Sequence, residues 1–356
     1  MTEYFFMEPL ERKRYSRQIL LPEMGLAGQE RLRSARILVI GAGGLGCPVL
    51  QYLAAAGVGT IGIVDDDVVD ITNLHRQILY TAEDIGKAKA EIAGKKLALL
   101  NPFVKFNIIP ERLTAENAAD IVKDYDLVID GSDNFTTRYL ANDTCVALDK
   151  PMVFGSILRF EGQVSVFNYK GGPTYRCLFP DAEEGDNCAE AGVIGILPGM
   201  IGTYMANEAI KIICEIGEPL SGKLMVLNAL TNNISFFQFS RNPNIAAPEQ
   251  HEELQVKPAM TEIDLPEMLF EDWEKLQETD PDQIFLVDVR EDYEFEADSI
   301  GGINIPLSEL PENLTAMPAD KTVVFYCRSG IRSKTAARLL SKTDFDGESF
   351  WMKEGV

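Results

Sequence analysis

An α/β protein, with a doubly wound and largely parallel sheet followed by a smaller α/β domain, is what this 356-residue chain predicts. Three observations carry the prediction. Apolar strands alternate with helical stretches from Ile37 to Asp130, the pattern of parallel strands joined by crossover helices. A glycine-rich turn follows the first of those strands. A second strand–loop–helix series begins after Arg241 to Pro258, a stretch with three prolines and little periodicity that reads as a linker. The length suits two domains, with expected bounds of 1–241 and 260–356 around a linker at 242–259.

The elements follow in order. Residues 1–35 are charged and amphipathic. From Ile37 the chain reads strand, glycine turn, helix (Pro48 to Ala56) and strand (Thr60 to Val64). A helix over Lys87 to Leu100 stops at Asn101-Pro102. Phe103 to Ile109 reads as a strand, Ala115 to Val122 as a helix, and Asp126 to Asp130 as a short strand buried on both faces. Gln163 to Tyr169 alternates as an antiparallel strand does. Phe179 to Gly195 is acidic and glycine-rich, a long loop, and Met200 to Ile216 has helical spacing. In the second domain, Glu262 to Leu276 and Lys334 to Leu340 read as helices, and Ile284 to Arg290 and Thr322 to Tyr326 as strands.

Composition narrows the function. The formal net charge is −22, which argues against nucleic acid as a partner. The last third is the most acidic part: Pro248 to Val356 holds 25 acidic and 10 basic residues, a net −15, and reads as a solvated acidic surface. Mean hydropathy is −0.04, and no apolar run approaches the roughly 20 residues of a membrane span. The N-terminus has no basic segment leading into an apolar one, so no secretory signal is expected. Six dispersed cysteines with no C-x-x-C pair suggest reduced thiols in a cytoplasm. Cys47, Cys145 and Cys214 sit in apolar or helical stretches and read as small buried hydrophobes.

The glycine turn is the first candidate site. Gly41, Gly43 and Gly46 follow an apolar strand in a G-x-G-x-x-G pattern, with Asp65 placed for ribose hydroxyls, as in a Rossmann-like dinucleotide site. Alone this pattern serves many nucleotides. Arg76 and Lys89 sharpen it, because two cations suit a triphosphate and the charge that develops on leaving pyrophosphate. Asp133 is a candidate ligand for the Mg²⁺ that accompanies ATP. Each has a plainer reading, the cations as solvated surface charge and Asp133 as a turn or cap residue.

Many motifs in order then carry a resemblance. Arg14-Tyr-Ser-Arg17-Gln-Ile, Gly-Ala-Gly-Gly-Leu-Gly, Tyr52-Leu-Ala-Ala-Ala-Gly-Val-Gly, Asn73-Leu-His-Arg-Gln, Asp133-Asn-Phe-Thr-Thr-Arg138-Tyr, Arg159-Phe-Glu-Gly-Gln163 and Tyr175-Arg-Cys-Leu-Phe-Pro resemble the ThiF/MoeB family, relatives of ubiquitin-activating enzymes, over about residues 10–240. The resemblance implies a Rossmann-like sheet, parallel with an antiparallel extension. It implies ATP-dependent adenylation of the C-terminal glycine carboxylate of a small ubiquitin-fold sulfur carrier ending in Gly-Gly, with pyrophosphate leaving. It further implies that Gly44, Asp65, Asn73, Arg76, Lys89, Asp133 and Asn134 line the ATP site, and that Arg17 reaches the site of the neighbouring subunit in a homodimer. No acid–base dyad is needed for that step, and with only His75 and His251 present none is evident.

Two cysteines stand apart. Cys188 lies in Asp186-Asn-Cys-Ala-Glu-Ala-Gly192 within the acidic loop. Position alone leaves it a loop cysteine, because acidic neighbours do not lower a thiol pKa. The matching cysteine of ThiF-like enzymes bonds to the activated partner. Cys327 is the stronger case: a strand delivers it to Cys327-Arg328-Ser329-Gly330-Ile331-Arg332, a loop that opens a helix. Loop amides, the helix N-terminus, Arg328 and Arg332 favour an anion at sulfur. This junction, with Leu286-Val-Asp288-Val-Arg290-Glu and Ile303-Asn-Ile-Pro306-Leu, resembles the rhodanese (sulfurtransferase) domain and implies a Cys327 persulfide fed by a donor such as a cysteine desulfurase or thiosulfate. A phosphatase-type loop spaces cysteine and arginine by five residues, whereas here four separate Cys327 from Arg332.

Two departures from the family pattern follow. Many relatives hold zinc in two C-x-x-C pairs, but here Thr174-Tyr-Arg-Cys177 supplies one thiolate and residues 243–248 supply none, so no zinc is expected and Cys177 reads as an ordinary buried residue. Phe350 to Val356 resembles the last strand and turn of a rhodanese domain without its closing helix, so that domain is expected to be shortened. The leading expectation is an adenylyltransferase with sulfurtransferase activity, serving molybdopterin, thiamin or related cofactor biosynthesis. The competing readings are an NAD-dependent oxidoreductase and a non-catalytic carrier-binding scaffold.

Overall fold

A computed structural model of the chain describes residues 7–180, 192–243, 265–279, 283–307, 309–328, 330–341, 343 and 345–353. Cys188, Ser329 and most of the expected linker lie outside the described residues. The chain divides into two compact units, Met1–Val256 and Lys257–Val356.

The first unit is built on eight strands in the order β3-β2-β1-β4-β5-β6-β7-β8. These are β1 (Arg36–Ile40), β2 (Thr60–Val64), β3 (Lys105–Ile109), β4 (Leu127–Asp130), β5 (Met152–Leu158), β6 (Glu161–Phe167), β7 (Lys223–Asn228) and β8 (Asn233–Gln238). β3 to β5 are parallel, and β6, β7 and β8 extend the sheet antiparallel, as the resemblance implied. β1 is buried on both faces. Ile37 and Val39 pack with Val49, Leu50 and Leu53 of α4 (Gly46–Ala56), while Leu38 and Ile40 pack with Val122, Tyr125 and Leu140 on the other side. Each such side chain removed from water contributes about 1.5–3 kcal/mol.

Register places the site. Ile40 pairs with Val64 on one side and with Asp130 on the other, so the carboxyl ends of β1, β2 and β4 form one row. The strand order reverses between β1 and β4, and ligands of such sheets sit at that switch point.

The far end of α4 is tied down as firmly. It closes on Gly57 in the left-handed region at φ 89°, a conformation open to glycine. A Cβ at Gly57 would lie 2.4 Å from the Tyr15 ring. Tyr15 precedes α2 (Ser16–Ile19), and its hydroxyl accepts from Asn101 Nδ2 at 2.7 Å, while the same amide donates to Ala54 O at 2.6 Å. Gln18 and Gln29 both donate to Ala56 O.

Among the elements not foreseen as such are α7 (Phe135–Ala147), β5, β7 and β8. α4 begins at Gly46, because Pro48 is tolerated in a first turn that needs no N–H there. The long C-terminal helix of this unit is α9 (Leu197–Cys214).

The second unit has five parallel strands in the order β11-β10-β12-β13-β9. They are β9 (Glu267–Met268), β10 (Ile284–Asp288), β11 (Ile303–Asn304), β12 (Thr322–Tyr326) and β13 (Ser349–Met352). The helix expected over Glu262 to Leu276 is corrected: Glu267-Met268 pair with β13 as an edge strand, and the helix, α10, spans Phe270–Thr279. Pro266 disfavours helix before that point.

Candidate functional site

The cleft lies above the row formed by β1, β2 and β4. Gly41, Gly43, Gly44, Asp65, Asp67, Arg76, Gln77 and Lys89 line it from one side of the switch point, and Ser132, Asp133, Asn134 and Arg138 from the other. Its volume is about 190 Å³. The glycines differ in what they do. Gly41, at φ 87°, turns the chain at the end of β1. A Cβ on Gly46 would stand 2.0 Å from Gly41 O, so Gly46 allows the turn to close on the start of α4. Gly43 and Gly44 face the cleft, and α4 begins directly behind them, which presents a helix N-terminus to an anion.

Asp65 ends β2 with its carboxylate half-buried. Oδ2 accepts from Ala42 N at 2.7 Å and Oδ1 from Asp67 N at 2.9 Å, so the acid braces the glycine turn and keeps lone pairs toward the cleft. Burial pushes this carboxyl up, against the Ala42 amide and Lys89, which lower it. Lys89 opens α5 (Lys89–Leu100) and is almost fully buried, with Nζ 3.0 Å from Asp67 Oδ2. Arg76 is partly exposed, and its Nη1 donates to Thr72 O at 3.1 Å. Two cations, a helix N-terminus and backbone amides therefore converge where a polyphosphate would lie.

On the β4 side, Asp133 is exposed and lines the cleft. The capping role foreseen as its plainer reading belongs to Asn134, whose Oδ1 accepts from Thr137 N at 2.8 Å at the start of α7. Arg138 and Gln77 also line the cleft and are buried. Sequence reasoning named neither as a site residue, although Arg138 stood within a quoted motif and Gln77 directly follows Arg76. Asn73, Gly46 and Arg17 do not line the cleft. Asn73 supports it, accepting from Gln77 Nε2 at 3.0 Å, and Arg17 is exposed on α2.

The second candidate is the loop after β12. Cys327 is fully buried, and its sulfur accepts from Ser333 N at 3.4 Å in α13 (Ile331–Ser341). The amide of a helix N-terminus thus points at sulfur. Arg332 is less available than foreseen: its guanidinium grips Glu294 with contacts of 2.6 and 2.9 Å. Arg328 is exposed. Beneath the loop, Arg290 and Asp288 form a buried pair at 2.7 Å, so the Asp288-Val-Arg290 motif acts as a brace.

Cys177 corrects an expectation. It is partly exposed, not buried. Burial raises its thiol, but the Thr174 hydroxyl, the Asn242 and Thr174 amides and Arg241 outweigh that and hold it below the usual cysteine range. Cys47, Cys145 and Cys214 are buried as foreseen. Among the described residues, no group of three or more His, Cys, Asp or Glu side chains is arranged to hold a metal ion.

Comparison with known proteins bears on these sites. The ThiF family profile matches residues 15–248. The chain belongs to the ThiF family. A rhodanese-like domain profile matches residues 270–356. A sulfur carrier protein adenylyltransferase of Thermus thermophilus is 53% identical over 241 residues, covering 65% of this chain and 89% of that protein. A probable adenylyltransferase/sulfurtransferase MoeZ of Mycobacterium tuberculosis is 42% identical and covers 94% of this chain and 89% of its own length. The adenylyltransferase and sulfurtransferase MOCS3 of Aedes aegypti is 38% identical, over 93% of this chain and 82% of its own. Among solved structures, Escherichia coli MccB aligns with TM-score 0.59 at 21% identity, over 66% of this chain and 74% of that one, a likeness of fold. This ThiF-family chain therefore has the enzyme class of its relatives, adenylyltransferase and sulfurtransferase, and no helix among its described residues is long and apolar enough to cross a membrane.

Proposed function

We propose that the first unit adenylates the C-terminal glycine carboxylate of a small ubiquitin-fold sulfur carrier ending in Gly-Gly, and that Cys327 then supplies sulfur to it. The observation that carries this reading is the convergence of Arg76, Lys89 and Asp133 on the cleft that holds the glycine turn and Asp65. A dehydrogenase breaks no phosphate bond, so it needs no cations or metal ligand for a leaving pyrophosphate.

The carrier carboxylate oxygen attacks the α-phosphorus of ATP, and the bond to pyrophosphate breaks, its electrons leaving with pyrophosphate. Both reactants are anionic, so Arg76 and Lys89 offset their repulsion and the charge on the leaving group. Asp65 orients the ribose. Mg²⁺ is held in such sites by one or two carboxylates together with substrate phosphates, and the exposed Asp133 carboxylate in the cleft fits that donor set. When bound, the ion neutralises phosphate charge.

In the second step the outer sulfur of a Cys327 persulfide attacks the carbonyl, and AMP leaves. The Cys188 thiol then attacks the Cys327 side of the acyl disulfide. This releases the thiocarboxylate and leaves a Cys188–Cys327 disulfide, which a cellular dithiol must reduce. The sulfur donor is a cysteine desulfurase or thiosulfate, and the product serves molybdopterin, thiamin or a related cofactor. We further place Arg17 in the site of a second subunit, which makes the working form a homodimer.

Carrier-dependent ATP–pyrophosphate exchange tests the first step, and carrier mass tests the second. Wild type should exchange and convert the carrier to the form with sulfur in place of one oxygen. Cys327→Ser should exchange normally and transfer no sulfur. Wild type that exchanges without ever yielding thiocarboxylate sinks the second step, and one that binds NAD but fails to exchange sinks the first.

A further inference from the structure

Ser132 is gripped from both sides by two buried charges. Asp130, at the end of β4 and fully buried, accepts through Oδ1 from Ser132 N at 3.0 Å and from Ser132 Oγ at 2.6 Å. Arg138, one turn into α7 and 4% exposed, sends Nη2 back to Ser132 O at 3.0 Å. The amide, hydroxyl and carbonyl of one loop residue are thus all held. Asn134 fixes the other flank by capping α7. Between them stands Asp133, which faces the cleft and whose carboxylate receives, among the described residues, a 3.5 Å contact from Asn134 Nδ2.

The pair is poorly made as a stabilising device. Arg138 Nε and Asp130 Oδ2 are 3.7 Å apart, and neither has a hydrogen-bond partner among the described residues although both are buried. The guanidinium also sits over the rings of Phe154 and Phe135, at 5.1 and 5.5 Å. A buried ion pair of this kind is often replaceable by apolar side chains with no loss of stability. What apolar side chains cannot replace is the grip on Ser132.

We propose that Asp130 and Arg138 are positioning residues that hold the Ser132–Asn134 turn so that Asp133 is aimed at a nucleotide-bound Mg²⁺. This rests on the reading of the cleft as an ATP site. Arg138 then acts through Asp133, and its loss affects binding of the nucleotide with metal more than binding of the nucleotide alone.

Calorimetric titration of the full chain with ATP, with and without Mg²⁺, tests this. Arg138→Met should weaken binding in Mg²⁺ by roughly tenfold or more, the order seen when a group supporting a metal ligand is removed. Binding without Mg²⁺ should weaken by a clearly smaller factor. Asp133→Asn should reproduce the effect, and the double variant should be no weaker than Asp133→Asn. Arg138→Lys keeps the charge without the planar fork and should fall between, which carries the test if Arg138→Met does not fold. Equal losses with and without Mg²⁺, or additive losses in the double variant, overturn the positioning role while leaving the ATP reading intact. Wild type that binds no ATP overturns both.

Discussion

Gly46 and Gly43 belong to one turn but should fail differently when each is changed to alanine. At Gly46 the new methyl would stand 2.0 Å from Gly41 O and 2.9 Å from Gly41 C, where ordinary contact begins near 3.4 Å. Both are backbone atoms of the turn, so no side chain can rotate away. Overpacking of this kind costs about 1–3 kcal/mol, which lowers the melting temperature of a domain this size by roughly 2–12 °C. At Gly43 the methyl meets only Gln77 Nε2 at 3.5 Å, so stability should change by no more than about 0.5 kcal/mol. Yet Gly43 lines the cleft, and a methyl there keeps a phosphate from the backbone. Thermal melting with ATP titration separates the two: Gly46→Ala should lose stability, and Gly43→Ala should keep it and lose ATP affinity. A Gly43→Ala protein that binds ATP as wild type does, or a Gly46→Ala protein that melts unchanged, refutes the assignment.

Lys89→Ala should slow carrier-dependent pyrophosphate exchange by roughly 10²–10³-fold, the scale of losing one group aimed at developing charge; a drop below about tenfold would mean that Lys89 merely pairs with Asp67. Arg332 holds the Glu294 carboxyl below the ordinary glutamate range. A depressed carboxylate stabilises fully above its unfolded pKa, roughly 4.3, and loses that contribution as pH falls through its lower folded value. Acid melting of the second unit should therefore steepen below about pH 4.3 in wild type, and Glu294→Gln should lack that component; parallel profiles would contradict it. Iodoacetamide at neutral pH should label Cys177 ahead of Cys47, whose thiol burial pushes up to about 12, and of Cys214, pushed up to about 11. Peptide mapping that finds Cys47 or Cys214 modified first would count against the hydrogen-bond account of Cys177.

Much of the cleft could be read before any coordinates, because local chain chemistry determines it. The strand–turn–helix of β1 and α4, and Asp65 at the end of β2, lie within a short span. Arg76 and Lys89 were singled out because two cations following Asp65 suit a triphosphate, and both do line the cleft. What escaped reading depends on tertiary contacts. Gln77 reaches the cleft by packing beside Gly43, and Asn73 is drawn behind it. Arg138 stood inside a quoted motif, but its bond back to Ser132 O is a contact the motif does not announce. The partnership of Arg332 with Glu294 spans 38 residues of sequence, and no pattern along the chain announces it. α7 was hidden because half of its buried positions are polar, namely Arg138, Asn142, Asp143 and Thr144, so apolar periodicity had little to mark.

The knot at Gly57 gives α4 a mechanical character. Eleven helical residues form a rod of about 16 Å, with the phosphate-facing turn at one end. At the other end Gln18, Gln29 and Asn101 are bolted to its last carbonyls, and Tyr15 is held by Asn101. Arg17 is carried on that bolted segment. Arg17 thus stands on the same segment that anchors the rod at the end away from the nucleotide turn.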